Sequence, residues 1–204
     1  MGYRTTVLAV LLAVAALGCG PNDQQQAGPA ATRPAEEAGG AMPAPAQMEM
    51  VPEPFSAEQI RDEWVEGLEV VMRRRTPSDE AYERWRVVAA DADGAEIEIV
   101  PVDADGEPVG DPQTRRSAWT ELRDHARYPA AVAERERATR STPLGELEGW
   151  MYTLRDSKAG TTSELFFADT LPGAPVEMTV RSGEDVLFEL EQIKHERPAA
   201  TPGA

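Results

Sequence analysis

The chain offers few side chains for catalysis or metal binding. It contains two histidines, His125 and His195, and a single cysteine, Cys19. Zinc sites use three or four protein ligands, and two histidines with no free cysteine to join them are too few for a His/Cys metal centre. Asp124 precedes His125, but triads are defined by geometry, and no motif such as Gly-x-Ser-x-Gly positions a nucleophile. The prediction is therefore that the protein is not an enzyme and carries no metal or cofactor.

Two identical acidic tetrapeptides fit either a cation site or a turn. Residues 91–94 and 103–106 both read Asp-Ala-Asp-Gly. A calcium loop of the EF-hand type continues with further ligands and ends on a glutamate, which neither copy does. Asp-Gly between alternating segments is a strong hairpin signal, because both central residues of the turn take positive φ. Hairpin turns are the favoured interpretation, and calcium binding is the alternative.

Cys19 is the one residue whose position indicates a modification. It follows an apolar run of about 13 residues, from Thr5 to Leu17, which Arg4 precedes. That length fits the core of a secretory signal and falls short of the roughly 20 residues that span a bilayer. A lone thiol in an oxidising compartment can pair between molecules, and acylation would remove that hazard.

Residues 15–19 (Ala-Ala-Leu-Gly-Cys) resemble the lipobox of bacterial lipoproteins, the substrates of signal peptidase II. The resemblance covers the leader only, and it departs from the usual pattern in placing Ala16 where leucine is common. It implies cleavage between Gly18 and Cys19, a diacylglycerol on the sulfur and an amide-linked chain such as palmitate. Gly20 stands where inner-membrane lipoproteins of enterobacteria carry Asp, which implies the outer membrane, facing the periplasm. A plain secretory signal and an uncleaved anchor are the alternatives.

The composition divides the chain into four parts. Residues 1–18 are the predicted signal peptide, and residues 19–54, rich in Ala, Pro, Gly and Gln, predict a lipidated, disordered tether. Residues 55–196 suffice for one β-rich globular domain, and residues 197–204 predict a disordered tail. The formal net charge is -16, which disfavours nucleic-acid binding. Membrane contact is assigned to the lipid anchor.

Alternating apolar and charged residues predict the fold. The alternation is clear in residues 68–73, 84–89, 96–99, 176–181 and 186–191. One apolar and one charged face are typical of antiparallel strands that cover a core on one side. The predicted class is mainly β: a single antiparallel meander or half-barrel sheet of about seven to nine strands, with one or two short helices packed on it.

Two short helices and one ambiguous segment complete this prediction. Ser56 and Gln59 form a potential capping box, which predicts a helix over residues 55–64. Residues 118–125 predict a second helix. Residues 130–140 have helical propensity, but their Glu-Arg-Glu-Arg repeat also suits a solvated edge strand, which is the favoured interpretation.

The aromatic residues fit a core or a groove. Residues 141–180 resemble a turn-and-core pattern of uncharacterised bacterial envelope domains, which implies a shared β scaffold and no catalytic role. Half-barrels that carry lipoproteins across the periplasm are similar in architecture only. Core packing is the favoured role of the aromatic residues, with a partly open apolar groove as the alternative. The candidate groove residues are Trp85, Trp150, Phe167, Met178 and Phe188.

Three functions are compatible with these observations. The first is a membrane-anchored envelope lipoprotein whose β domain binds or scaffolds an envelope protein partner in the periplasm. The second is a carrier or sensor that holds lipid or another hydrophobic ligand in the groove. The third is a carboxylate-based hydrolase, although 36 acidic residues make chance pairs of carboxylates expected.

Overall fold

The computed structural model describes residues 48–199, and it confirms the predicted fold class. Nine antiparallel strands form one open sheet with two short helices. In chain order the elements are α1 (Ala57–Glu63), β1 (Glu69–Thr76), β2 (Asp79–Ala90), β3 (Gly94–Val102), β4 (Gln113–Ala118), α2 (Trp119–Asp124), β5 (Ala133–Thr142), β6 (Gly145–Asp156), β7 (Thr161–Ala168), β8 (Glu177–Ser182) and β9 (Asp185–Glu196). The predicted signal peptide, Cys19 and most of the predicted tether lie outside the described residues.

The sheet consists of two meanders joined in the middle. Its strand order is β4-β3-β2-β1-β9-β8-β7-β6-β5, so β1 to β4 form one meander and β5 to β9 form the other. The joint is the antiparallel pair of β1 and β9, in which Val70 lies opposite His195. Within residues 48–199, β4 and β5 each pair on one side only and form the two edges of the sheet.

The first helix begins at the predicted capping box. The hydroxyl of Ser56 accepts the Gln59 backbone N–H at 3.2 Å, and the Gln59 side chain accepts the Ser56 N–H at 2.8 Å. These bonds satisfy two of the donors that a helix start leaves unpaired. Gly67, at φ +90°, then turns the chain from α1 into β1.

The second helix and the ambiguous segment also follow the predictions. The helix covers Trp119–Asp124, and the segment forms β5, over Ala133–Thr142. β5 pairs with β6 over its whole length, in continuous register from Ala133 opposite Leu154 to Thr142 opposite Gly145. Because this pairing runs along ten residues on the inner side of the strand, it overrides the helical propensity of the segment.

Both acidic tetrapeptides form turns, but neither has the predicted pair of positive φ angles, since no residue other than glycine takes positive φ among the described residues. Asp91 Oδ1 accepts the N–H groups of Asp93 and Gly94, and Gly94 does not take positive φ. The carboxylate, rather than left-handed backbone, therefore builds this turn. Gly94 is needed for a different reason, since a Cβ there would lie 2.3 Å from the Ser117 carbonyl oxygen. In the second copy Gly106 does take positive φ, at +85°.

One face of the sheet carries both helices and most of the core. We call it the helix face, and residues 50–55 cross it together with α1 and α2. Its core includes Ile60 and Trp119 from the helical segments and Met72 and Leu165 from the strands. Two smaller clusters, built from residues that alternate with helix-face positions, lie on the opposite face. Their buried members are Val71, Val100 and Val102 in one, and Phe166, Ala168 and Val176 in the other.

The fold extends beyond the predicted domain limits at both ends. Met50 bridges to Pro129, and Val51 is buried, although both fall in the predicted tether. The Pro52 carbonyl accepts a hydrogen bond from the Tyr152 hydroxyl at 2.6 Å. Among the described residues, no helix has the length and apolar character needed to cross a membrane.

Candidate binding surface

The helix face is only partly covered by α1, α2 and residues 50–55. Beyond these segments, six large apolar side chains of the strands pack against the core and stay partly exposed. One of them, Trp150, is covered by the Arg135 guanidinium, which leaves a set of five. We call this set the apolar band. Its members are Trp85, Ile99, Leu154, Met178 and Phe188.

Strand register places the apolar band across the sheet rather than along one strand. Ile99 of β3 lies opposite Trp85 of β2, and Met178 of β8 lies opposite Leu190 of β9. Leu154 extends the band to β6. From β3 to β6 there are seven adjacent strands, which correspond to a width of about 29 Å at ~4.8 Å per strand spacing.

Tryptophan contacts position one end of the apolar band. Trp64 packs edge-on against Trp85, with ring centroids 6.4 Å apart. The Trp64 indole N–H donates to the Pro172 carbonyl at 2.8 Å, which ties the end of α1 to the loop before β8. Gly173 allows this approach, because a Cβ there would lie 2.2 Å from Trp64 Nε1. The contact with Trp64 therefore holds the Trp85 ring in its position on the helix face.

Two charged residues lie on the helix face among these apolar side chains. Arg74 of β1 lies between Ala81 of β2 and Leu190 of β9, and Glu83 of β2 lies opposite Met72. The ion pairs found among residues 48–199 do not include Arg74. An apolar surface with an unpaired cation favours an amphipathic partner that brings a carboxylate.

A second aromatic cluster, below residues 50–55, is part of the core. Phe167 packs edge-on against Phe55 at 6.2 Å and against Tyr152 at 5.4 Å between ring centroids. Burial raises the pKa of Tyr152 to about 12, and it raises the pKa of Tyr128 as well. Both phenols therefore stay neutral at physiological pH, and their role is packing and hydrogen bonding.

Three of the five candidate groove residues lie on the partly exposed part of the helix face but in two groups, since Trp85 is level with His195 of β9, seven positions from Phe188. Trp85, Met178 and Phe188 belong to the apolar band. Phe167 is buried in the aromatic cluster, with 2% of its surface exposed. Trp150 lies near the β5 edge, where the Arg135 guanidinium carbon stacks 3.5 Å from its ring centroid. The groove itself stays a prediction.

Sequence reasoning did not single out Ile99 and Leu154 as surface residues. Ile99 belonged to a recognised alternating segment, but alternation identifies a face and not its exposure. Leu154 follows Trp150 and Tyr152 at every second position of β6, so the same signal could have placed it on the helix face.

Two open depressions lie elsewhere on the described surface. One, of about 620 Å³, lies between α1 and the β2–β3 turn, and the other, of about 250 Å³, lies on the β5–β6 edge. The first is lined by Arg61, Asp62, Val65, Glu66, Ala90, Asp91, Ala92 and Trp119, and the second by Arg137, Ala138, Thr139 and Glu148. Neither depression is lined by a residue of the apolar band.

The two histidines lie far apart in different surroundings. His125 caps the end of α2 and is exposed. His195 is buried, with 6% of its side chain exposed, and its Nε2 lies 2.9 Å from Glu63 Oε1. Arg197 donates to the other Glu63 oxygen at 3.3 Å. This network links α1 to β9 and to the residue after it.

Gln192 completes the network around His195. Its side-chain nitrogen donates to the carbonyls of Ala174 and Pro175 at 3.2 and 3.1 Å. Its oxygen therefore faces His195 Nδ1, at 3.1 Å. The partners of His195 are thus one carboxylate and one amide, which suits a structural link. Among residues 48–199, no three His, Cys, Asp or Glu side chains cluster as a metal site would require.

The chain matches no protein-family model, and no curated protein sequence matches it. Several solved structures give alignments with this chain at low sequence identity. A chain of the Pseudomonas aeruginosa MucA/MucB complex aligns with a TM-score of 0.47 and 10% identity, over 72% of this chain and 56% of that chain. The present chain thus spans little more than half the length of that protein.

Two further solved structures come from other bacteria. A candidate lipoprotein of Parabacteroides distasonis gives a TM-score of 0.41 and 9% identity, over 65% of this chain and 96% of that chain. A candidate exported protein with a YmcC-like fold from Bacteroides fragilis gives 0.40 and 11%, with the same coverage of 65% and 96%. Similarity at this level concerns the fold and carries no information about function.

Proposed function

We propose that this chain is a lipid-anchored protein of the bacterial envelope whose β domain binds an envelope protein through the apolar band. The observation that carries the proposal is the band itself: five large apolar side chains that the helices leave partly exposed across seven strands. Apolar surface left exposed is costly in water, and its presence on a folded domain supports an interaction site there. The unpaired Arg74 adds a specific contact for a carboxylate of the partner.

The proposed anchor is Cys19, at the outer membrane and facing the periplasm. The supporting evidence is the apolar leader and the lipobox-like residues 15–19. We expect Cys19→Ser to abolish acyl labelling and partitioning into the detergent phase, because a diacyl chain supplies stable membrane attachment. A serine variant that fractionates with membranes as the parent chain does would overturn the anchor and leave the binding proposal untouched.

The binding proposal is tested by photo-crosslinking in the bacterium that makes the protein. A benzophenone amino acid at Met178 of β8 would report on the apolar band, and the same probe at Thr179 is a matched control. The two residues are adjacent on one strand, partly exposed, and directed to opposite faces of the sheet. We expect one discrete protein adduct from position 178 and none from position 179.

The alternative carrier function is distinguished by the same experiment. A lipid carrier would bring acyl chains against Met178, and mass spectrometry would then find lipid, not protein, on the probe. Equal adducts from both positions, or none from either, would contradict binding through the apolar band.

A further inference from the structure

The edge strand β5 is long and regular, and among residues 48–199 no strand pairs with its outer side. It runs for ten residues, contains no proline and keeps continuous register with β6. Natural proteins usually shorten, bulge or charge such edges, because their free backbone groups pair with other strands. β5 is charged, but the signs alternate in Glu134-Arg135-Glu136-Arg137, followed by Arg140. Alternating charges disfavour a partner strand that places like charges opposite them and favour one that places unlike charges there.

Symmetry restricts how β5 can pair with β5 of a second copy. A two-fold axis perpendicular to the sheet makes the strands antiparallel and keeps the same face upward in both copies. Residues that face each other must then project from the same face, so their numbers are both odd or both even. In the registers that remain, the two-fold axis lies beside one residue of the strand, and this residue faces the same residue of the other copy.

Only one register centred within residues 134–140 pairs unlike charges and opposes no like ones. Axes at residues 134, 135, 136, 137 and 140 place two glutamates or two arginines opposite each other. An axis at Thr139 forms no ion pair. An axis at Ala138 places Glu136 of each copy opposite Arg140 of the other, with Arg137 opposite Thr139. Opposite charges facing across strands are stabilising, and like charges are destabilising.

The surroundings of Ala138 suit a close approach. Its neighbour on β6 is Gly149, so small residues occupy the proposed axis on the inner side. Ala138 and Thr139 also line the 250 Å³ depression on this edge. Glu136 is exposed and takes part in none of the ion pairs found in the described chain, so it is available to a second copy. Arg140 pairs through its Nε with Glu177 of its own chain at 3.1 Å, and its terminal guanidinium nitrogens are the donors that would reach Glu136 of the second copy.

We infer that two copies of this chain associate through antiparallel pairing of their β5 strands about an axis at Ala138, with reciprocal Glu136–Arg140 ion pairs. The result is one continuous eighteen-stranded sheet, twice the nine strands of a single copy. One strand from each copy makes a small interface, below about 1,200 Å², so the dimer belongs to the weak class. The inference is independent of the apolar band.

Charge exchange tests the register. With the full mature chain carrying Cys19→Ser, sedimentation equilibrium should show a concentration-dependent dimer. We expect Glu136→Arg and Arg140→Glu each to weaken association by at least about tenfold, because each opposes like charges twice. The double variant should restore the dimer, since the pairs re-form with reversed signs. Glu184→Arg, on the β8–β9 turn, makes the same charge change away from β5 and should have no effect.

A disulfide tests the axis without relying on charge. Ala138→Cys would place two thiols directly opposite each other, at a Cα separation of about 4.5–5.5 Å, which a disulfide spans. Thr139→Cys is the control, because its symmetry mate lies diagonally, at about 7–8 Å. Circular dichroism confirms that each variant folds. A parent chain that stays monomeric, or cysteines at 138 and 139 that crosslink at equal rates, would overturn the inference.

Discussion

At the scale of residues, the buried charges link distant parts of the chain. The contact of His195 with Glu63 spans 132 positions of sequence. Because both side chains are nearly inaccessible, each depends on the other to replace lost water. This contact stabilises the packing of α1, the first element, against β9, the last.

Removing the carboxylate should expose that dependence. We expect Glu63→Ala to lower the free energy of unfolding by about 3 kcal/mol, because it leaves buried partners unsatisfied. Urea denaturation measures the change. Glu66→Ala is the control: Glu66 is exposed, three positions away, and its loss should stay within about 0.5 kcal/mol. Equal losses for the two variants would show that the network does not stabilise the fold.

Asp91 should make stability depend on pH. The backbone N–H of Asp93, followed by the Arg116 guanidinium and the Gly94 N–H, lowers the pKa of Asp91. A carboxyl group whose pKa is lower in the folded chain stabilises the fold above its unfolded pKa of about 3.9 and loses this effect as pH falls through the folded value. Asp91→Asn should therefore be less stable than the parent at neutral pH, and the difference should shrink in acid.

The measurement is urea unfolding of both proteins from neutral to acidic pH. Asp111→Asn provides a control at an exposed position of the loop before β4. A deficit of Asp91→Asn that stays constant down to the most acidic condition would contradict the proposed role of the charge.

At the scale of elements, two kinds of local sequence signal, helix capping and residue alternation, predicted much of the secondary structure. Capping chemistry at Ser56 predicted α1, and period-two alternation predicted the strands. These features depend on neighbours in sequence, so the sequence alone reveals them. The apolar band and the position of His195 depend on β1 pairing with β9, and no local pattern encodes that joint. The prolines of residues 48–54 predict a tether. The contacts of this segment with Tyr128 and Tyr152 are distant in sequence, so no local pattern reveals them.

The capping box gives a prediction at this scale. Ser56→Ala removes the side-chain acceptor of the Gln59 N–H, and we expect a loss of about 1 kcal/mol in unfolding free energy. Thermal and urea unfolding provide the value. Ser157→Ala, in the exposed β6–β7 turn, should be nearly neutral. If the two variants were equally stable, α1 would not depend on its cap.

At the scale of the whole molecule, three surfaces divide the proposed work. We propose that the anchor at Cys19 sets the location, that the apolar band binds a partner and that the β5 edge joins copies of the chain. The three proposals rest on different residues, so single substitutions can separate their effects. The strongly acidic composition, with net charge -16, keeps the remaining surface from unspecific contact with anionic envelope components.

Occupancy of the apolar band in the living envelope tests the central claim most directly. Met178→Cys and Thr179→Cys introduce thiols on opposite faces of β8, and a mature chain acylated at Cys19 has no other thiol. The maleimide labelling rate of each is compared between intact cells and purified protein. The account predicts that labelling at position 178 is slower in cells than in the purified protein, while labelling at position 179 is unchanged. Equal rates at position 178 in the two settings would contradict it.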